Sequence, residues 1–187
     1  MTPAFASART LAFALLLTVA WIIPVHAATY ADTVLTGAPK ATWIAEGQGG
    51  RAVYIFFDPN CPSCALLYRN LRSLIGSHAL QLRWIPVAVV NATSPGKAAA
   101  ILQAPVPLAA LRQNEERYRG ETYSGDIEED IPSSETEQKL RTNERLLNGL
   151  DIPVVPSMLF TAKDGRAVLI QGALSPLALR KVFTRLP

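Results

Sequence analysis

The stretch FFDPNCPSCALL, residues 56–67, contains both cysteines of the chain, Cys61 and Cys64. A C-x-x-C pair occurs in redox couples, in metal sites and in simple disulfide staples, so its surroundings have to decide between these uses. The apolar run AVYIFF before it, residues 52–57, is typical of a buried strand, and apolar residues recur at helical spacing after it. Cys61 is therefore expected at the N-terminus of a helix, with Pro62 in its first turn, where the missing N–H of proline needs no partner.

This position favours an ionised thiol. The N–H groups and the positive dipole end of a helix N-terminus stabilise an anion, so the pKa of Cys61 is expected to fall and Cys61 to be the attacking sulfur. Cys64, one turn later on the same face, can then resolve the mixed disulfide. A structural disulfide between them closes too small a loop to stabilise the fold much. The redox interpretation is favoured, and it needs no cofactor because the sulfurs carry the electrons.

Metal and nucleic-acid binding find little support in the composition. Zinc usually takes four ligands, and beyond the two cysteines the chain after residue 27 offers only His78 as a further soft ligand. The formal net charge is +3, and the basic residues do not concentrate into one segment. Neither a metal ion nor a nucleic-acid partner is expected.

The first 27 residues, MTPAFASARTLAFALLLTVAWIIPVHA, have the layout of a cleavable signal peptide. A positive charge at Arg9 precedes an apolar run, and small residues stand before the proposed cleavage point at Ala27. The apolar run is shorter than the roughly 20 residues that a membrane-spanning helix needs. The sequence therefore predicts export to a compartment in which disulfides form and persist.

The remaining chain alternates strand and helix patterns. They predict a strand over LRWIPVAVV (82–90), a helical stretch from 94 to about 150, a β-hairpin around KDGR (163–166) and a last helix capped at Ser175. Ser94 is expected to cap the first helix of the helical stretch, and Ser134 with Glu137 matches a capping box further along. Pro156 stands before the apolar run SMLF, where either a cis bond or an ordinary trans proline at a strand's first residue explains it.

Several segments resemble, in matching order, the DsbC/DsbG group of periplasmic thiol:disulfide interchange proteins, and its DsbG members most. They are TWIAEG (42–47), VYIFFDPNCPSC (53–64), SPGKAAAIL (94–102), SETEQKLRTNERLL (134–147) and VVPSMLF (154–160). The resemblance implies an α/β thioredoxin-like fold, a central mixed sheet flanked by helices, over residues 43–187 with a helical insertion at about 94–150. It also implies periplasmic localisation.

The same resemblance assigns roles to individual residues. It makes Cys61 the nucleophile and Cys64 the resolving thiol, and it makes Pro156 a cis-proline that binds substrate together with Val155. Pro62, Ser63 and Asp58 are supporting residues around the cysteines. Asp58 either takes a proton from Cys64 or serves only the Asp-Pro turn, and both interpretations stay open.

The sequence departs from the group at several points. Residues 28–42 form a short N-terminal segment, too small for the group's N-terminal dimerisation domain, so a monomer is expected and isomerase activity is left open. Val155 stands where the group usually has threonine, and Ser63 where it has tyrosine or histidine. Ile55 stands six residues before the nucleophile, where thioredoxin and DsbA resemble each other in a buried acid.

The sequence thus predicts a thiol:disulfide oxidoreductase acting on cysteine-containing proteins, with a membrane-bound partner that reduces or oxidises it. Its direction stays open among oxidation, reduction, isomerisation and sulfenic-acid rescue. The alternative is a non-catalytic binding module of the same fold, in which the disulfide is only structural.

Overall fold

The computed structural model describes residues 29–76 and 78–187, so the predicted signal peptide lies outside the described residues. The regular elements are α1 (Tyr30–Gly37), a short 3₁₀ turn (Ala38–Lys40), β1 (Ile44–Glu46), β2 (Arg51–Phe57), α2 (Pro62–Leu71), β3 (Leu80–Pro86), α3 (Ser94–Gln103), α4 (Pro107–Glu116), α5 (Ser134–Leu147), β4 (Ser157–Thr161), β5 (Ala167–Gln171) and α6 (Pro176–Phe183). None of the helices in this described part is long and apolar enough to cross a membrane.

The five strands form one mixed sheet in the order β1-β3-β2-β4-β5. Strands β2 and β3 run parallel, and the other neighbouring pairs are antiparallel. Strand β2 is central, since Tyr54 pairs with Arg83 of β3 on one side and with Leu159 of β4 on the other. The sheet has helices on both faces, which is the architecture that the sequence predicted.

Side-chain alternation along β2 explains why this strand is buried on both faces. Val53, Ile55 and Phe57 belong to the core cluster shared with α2, α4 and α6. Tyr54 and Phe56 belong to the opposite cluster, which includes residues of α1 and α5. A strand between two helical layers has no polar face, so its sequence is continuously apolar instead of alternating. The end of β2, where the site begins, is therefore held rigidly.

The helical stretch from 94 to about 150 contains three helices, and both predicted caps within it were wrong by one residue. Thr93 precedes α3, while Ser94 is its first helical residue and donates its hydroxyl to the Asp58 carboxylate at 2.8 Å. Ser133, not Ser134, caps α5 by accepting the Thr136 N–H at 3.2 Å. Ser133 has the extended backbone that a cap requires, and its neighbour already has a helical one.

Candidate active site

The loop after β2 delivers Cys61 to the start of α2, as the sequence predicted. Cys61 is the N-cap residue, with an extended backbone at φ −87° and ψ 115°. Its Sγ atom accepts a hydrogen bond from the Cys64 backbone N–H at 3.3 Å. This N–H group, which also donates to the Cys61 carbonyl at 3.0 Å, therefore points at the sulfur, and the same bond would stabilise a thiolate there.

The two cysteines have opposite acid–base properties. A hydrogen bond from the Cys64 side chain, helped by backbone N–H groups of Cys64 and Ser63, lowers the pKa of Cys61 despite burial and the nearby charge of Asp58. Burial raises the pKa of Cys64 well above the ordinary thiol value. Cys61 keeps 5% of its surface exposed, whereas Cys64 has none. Cys61 is thus suited to attack a substrate, and Cys64 is a buried, protonated thiol.

Residues before β4 form the opposite wall of the site. The Val155–Pro156 peptide bond is cis, as the resemblance implied. The Cys61 thiol donates to the Val155 carbonyl at 3.6 Å, so this turn lies directly beside the reactive sulfur. Pro156 is buried, and its carbonyl accepts a hydrogen bond from the Gly172 N–H at 2.9 Å. Two segments that are 94 residues apart in sequence thereby meet at Cys61.

Asp58 serves the loop structure. It is fully buried, and its carboxylate accepts hydrogen bonds from the backbone N–H groups of Asn60, Val89 and Val90 at 2.7–2.9 Å and from the Ser94 hydroxyl at 2.8 Å. The carboxylate therefore ties the loop before Cys61 to the segments after β3. With both oxygens occupied, it has little capacity left for a proton from Cys64, and we assign it a structural role.

The remaining predicted site residues lie at the surface. Pro62 and Ser63 are exposed on the first turn of α2, next to Cys61. Pro62 occupies the first helical position, where the absent N–H costs no hydrogen bond. Both side chains are accessible to a partner that approaches the sulfur. In the described part of the chain, no cluster of three or more histidine, cysteine or acidic side chains could hold a metal ion.

Helix α4 adds residues that the sequence analysis missed. The charged stretch from Arg112 to Arg119 has the composition of a solvated helix face, yet Asn114 and Glu115 are buried. The Asn114 amide donates to the Pro59 carbonyl at 2.9 Å, and the hydroxyl of Tyr118, two residues after the end of α4, donates to the Asn60 carbonyl at 3.0 Å. Helical spacing carried a signal, because Glu115 lies one turn after the buried Leu111 and shares its face.

Comparisons with known proteins agree with this architecture. A family model described as a thioredoxin-like domain matches residues 38–186. The chain belongs to the thioredoxin-like family. Thiol:disulfide interchange protein DsbG from Pseudomonas aeruginosa is 30% identical over 146 residues, which are 77% of this chain and 56% of that protein. DsbG from Escherichia coli is 31% identical over 130 residues, which are 67% of this chain and 50% of that protein.

The similarity to DsbG that the sequence suggested is thereby confirmed, although the chain spans only about half the length of these curated relatives. Among solved structures, the catalytic domain of Proteus mirabilis ScsC superposes with a TM-score of 0.64 at 15% identity. That similarity covers 84% of this chain and 97% of that domain. At this identity the superposition supports the fold alone, and the thioredoxin-like fold class is confirmed.

Proposed function

We propose that the protein is an exported, periplasmic thiol:disulfide oxidoreductase that exchanges disulfides with protein substrates through Cys61 and Cys64. The observation that carries the proposal is the N-cap position of Cys61, with its Sγ atom bound by the Cys64 N–H at 3.3 Å. The similarity to two thiol:disulfide interchange proteins over most of this chain supports the same chemistry. The signal-peptide pattern of residues 1–27 supports export.

Exchange proceeds in two thiol–disulfide exchange steps, each of which forms one S–S bond and breaks another. In reduction of a substrate, the Cys61 thiolate attacks one substrate sulfur, forms a mixed disulfide and releases the other substrate sulfur as a thiolate. Cys64 then loses its proton and attacks the Cys61 sulfur, so the second substrate sulfur also leaves. The substrate disulfide gains two electrons, and the cysteine pair becomes a disulfide. Oxidation of a substrate dithiol is the reverse sequence.

Substrate is expected to bind in an extended conformation along Val155 and Pro156, because the Val155 carbonyl lies 3.6 Å from the reactive sulfur. Apolar side chains are exposed nearby. Val154 precedes this turn at 42% exposure, and Val89 and Val90, whose N–H groups bind Asp58, are 48% and 44% exposed. Such a surface suits an incompletely folded protein, which presents apolar segments together with reachable cysteines.

The proposal also includes the division of the chain into segments. Residues 1–27 are the signal peptide, 28–42 are an N-terminal segment and 43–187 form the catalytic domain with the insertion at about 94–150. We propose that the protein acts as a monomer and that a membrane partner exchanges electrons with Cys61, which stays the accessible sulfur.

Substitution of single cysteines tests the proposal. Cys64→Ser should accumulate a covalent complex with a cysteine-containing protein substrate, whereas Cys61→Ser should form none and should lose all exchange. Non-reducing gel electrophoresis of reactions with reduced, unfolded ribonuclease and oxidised glutathione reports both outcomes. Full exchange activity in Cys61→Ser, or the absence of a trapped complex in Cys64→Ser, would contradict the proposed function and favour a binding module.

A further inference from the structure

Strand β4 begins with a buried serine that the exchange steps do not use. Ser157 follows Pro156 directly and has no exposed surface, and the next three residues of β4 are buried and apolar. A buried hydroxyl group is costly unless it is hydrogen-bonded. The Ser157 hydroxyl donates to the carbonyl of Val154 at 2.6 Å. Ser157 thus connects the start of β4 back to the residue that precedes Val155.

A side chain of β5 completes this arrangement. Gln171 pairs with Ser157 across the two strands, so their side chains lie next to each other on the same face of the sheet. The Gln171 amide donates to the Ser157 hydroxyl oxygen at 3.2 Å and to the carbonyl of Ile152 at 2.6 Å. Two side chains of the sheet therefore bind two carbonyls of residues 152–156, a segment that we call the Val155 loop.

The backbone of the Val155 loop keeps one donor available beside the reactive sulfur. The Ile152 carbonyl also accepts the Val154 N–H at 3.0 Å, which closes a tight turn. The Val155 carbonyl lies 3.6 Å from the Cys61 sulfur. In the described part of the chain, the N–H group of Val155 has no hydrogen-bond partner. An extended polypeptide can pair with such a backbone group, as a strand does when it adds to a sheet edge.

The Val155 loop needs these fixed points because little else holds it. Residues 151–154 are exposed and belong to no helix or strand. A segment with few buried contacts moves more than the elements that it connects. Ser157 and Gln171 belong to the sheet, so their hydrogen bonds transfer the rigidity of the sheet to the loop. Precise placement matters for a substrate that must present its sulfur to Cys61, since a misplacement of roughly 1 Å can cost about 10²-fold in rate.

We propose that Ser157 and Gln171 are positioning residues for polypeptide substrates. They hold the Val155 loop so that the backbone of Val155 pairs with an extended substrate segment, and the substrate sulfur then faces Cys61. A small disulfide has no backbone to pair with the loop, so its reaction does not depend on this pairing. Ser157 and Gln171 thereby determine the preference for polypeptide over small disulfides. This inference rests on the proposed function and identifies the residues that set its substrate class.

Two disulfides with the same leaving group separate recognition of a polypeptide from reactivity of the sulfur. One is a blocked peptide with valines on both sides of a single cysteine, linked through that cysteine to nitrothiobenzoate, and the other is dithiobis(nitrobenzoate). The Cys61 thiolate attacks, its sulfur bonds to one sulfur of the disulfide, the S–S bond of the disulfide breaks, and nitrothiobenzoate leaves as a coloured thiolate. Stopped-flow absorbance with the reduced protein gives a second-order rate constant for each compound. The ratio of the two constants, peptide over small disulfide, is the selectivity.

Two variants remove the hydrogen bonds to the Val155 loop. Ser157→Ala deletes the hydroxyl, and Gln171→Met deletes the amide donors at a similar side-chain length. Each is expected to lower the selectivity at least about fivefold, because the loop loses a fixed point and the peptide sulfur is misplaced. Ser133→Ala is the matched control, since it deletes a hydroxyl that caps α5 and bonds to Thr136. It should cost stability but keep the selectivity within about 1.5-fold.

The possible outcomes distinguish this inference from the proposed function. Gln171 is partly exposed on β5, at the edge of the sheet, so Gln171→Met keeps the test decisive if Ser157→Ala does not fold. Unchanged selectivity in Gln171→Met and in folded Ser157→Ala would overturn the inference while the proposed function stands. An equal loss in Ser133→Ala would also overturn it, because lost stability would then be the cause. If the unsubstituted protein reacts with the peptide disulfide no faster than Cys61→Ser, the proposed function itself is refuted.

Discussion

Substitution of Asp58 by asparagine gives a sharp test of the active-site loop. One carboxylate oxygen accepts from the Asn60 N–H and the Ser94 hydroxyl, and the other accepts from the N–H groups of Val89 and Val90. The asparagine amide offers one acceptor and one donor. In its best orientation the NH₂ group faces Ser94, whose hydroxyl can accept, and the buried Asn60 N–H loses its partner.

The expected cost follows from these contacts. An orphaned buried N–H group costs about 1–3 kcal/mol, and replacing a charged by a neutral acceptor weakens the two remaining backbone bonds by about 1 kcal/mol each. Relief from burying a charge offsets part of this loss. We therefore expect Asp58→Asn to lower the free energy of unfolding by about 2–4 kcal/mol.

Urea unfolding of the reduced protein at neutral pH measures this change, and the pH profile of Cys61 alkylation by iodoacetamide supplies a second readout. Negative charge on Asp58 raises the pKa of Cys61, so the profile of Asp58→Asn should move to lower pH. Asp164→Asn, in an exposed turn where the carboxylate bonds to Arg166 and to no other residue of the described chain, is the control and should stay within about 0.5 kcal/mol. A loss below about 1 kcal/mol in Asp58→Asn would refute the structural role of this carboxylate.

Two further predictions follow from other contacts. Cys64→Ala should shift the alkylation profile of Cys61 to higher pH, because the Cys64 side chain provides the main hydrogen bond that lowers the pKa of Cys61. Cys64→Ser keeps a hydrogen-bond donor and should shift the profile less. Equal profiles for Cys64→Ala and the unsubstituted protein would contradict this cause. Glu46→Gln should cost about 2 kcal/mol at neutral pH, because it leaves Arg72 and Arg112 without their buried carboxylate partner. Burial raises the folded-state pKa of Glu46, but these arginines lower it below the ordinary value. The stabilisation by Glu46 is therefore complete above its unfolded-state pKa and is lost as the pH falls through its folded-state pKa. The difference in urea midpoint between Glu46→Gln and the unsubstituted protein should shrink in acid, and a pH-independent difference would contradict this cause.

Local patterns in the sequence predicted the nucleophile and its surroundings. The apolar run of β2, the break at Asp58 and the proline after Cys61 each have a short-range physical cause, and together they position Cys61 at the start of α2. The turn at Val155 and Pro156 needed the family resemblance as well, because its proximity to Cys61 is a contact across 94 residues.

Tertiary packing determines the surroundings of Glu115 and Ser94, which local sequence patterns did not predict. Glu115 belongs to a helix whose composition is that of a solvated surface, and it is buried only because α4 packs onto the active-site loop. Ser94 has the chemistry of a helix cap, but the Asp58 carboxylate from another part of the chain binds its hydroxyl. Helical spacing indicates that Glu115 shares the face of the buried Leu111, but it does not show which distant segment that face packs against, just as it does not show the distant partner of Ser94.

The reduction potential of the Cys61–Cys64 pair tests the central claim most directly. It is measured by equilibrating the protein in glutathione buffers of graded potential and counting free thiols by mass spectrometry. Because the reduced form is stabilised as a thiolate at Cys61, the pair should be reduced easily, with a potential above about −270 mV, in the range of thiol:disulfide oxidoreductases. A potential below about −300 mV would mark a structural disulfide and would contradict the proposed exchange reaction.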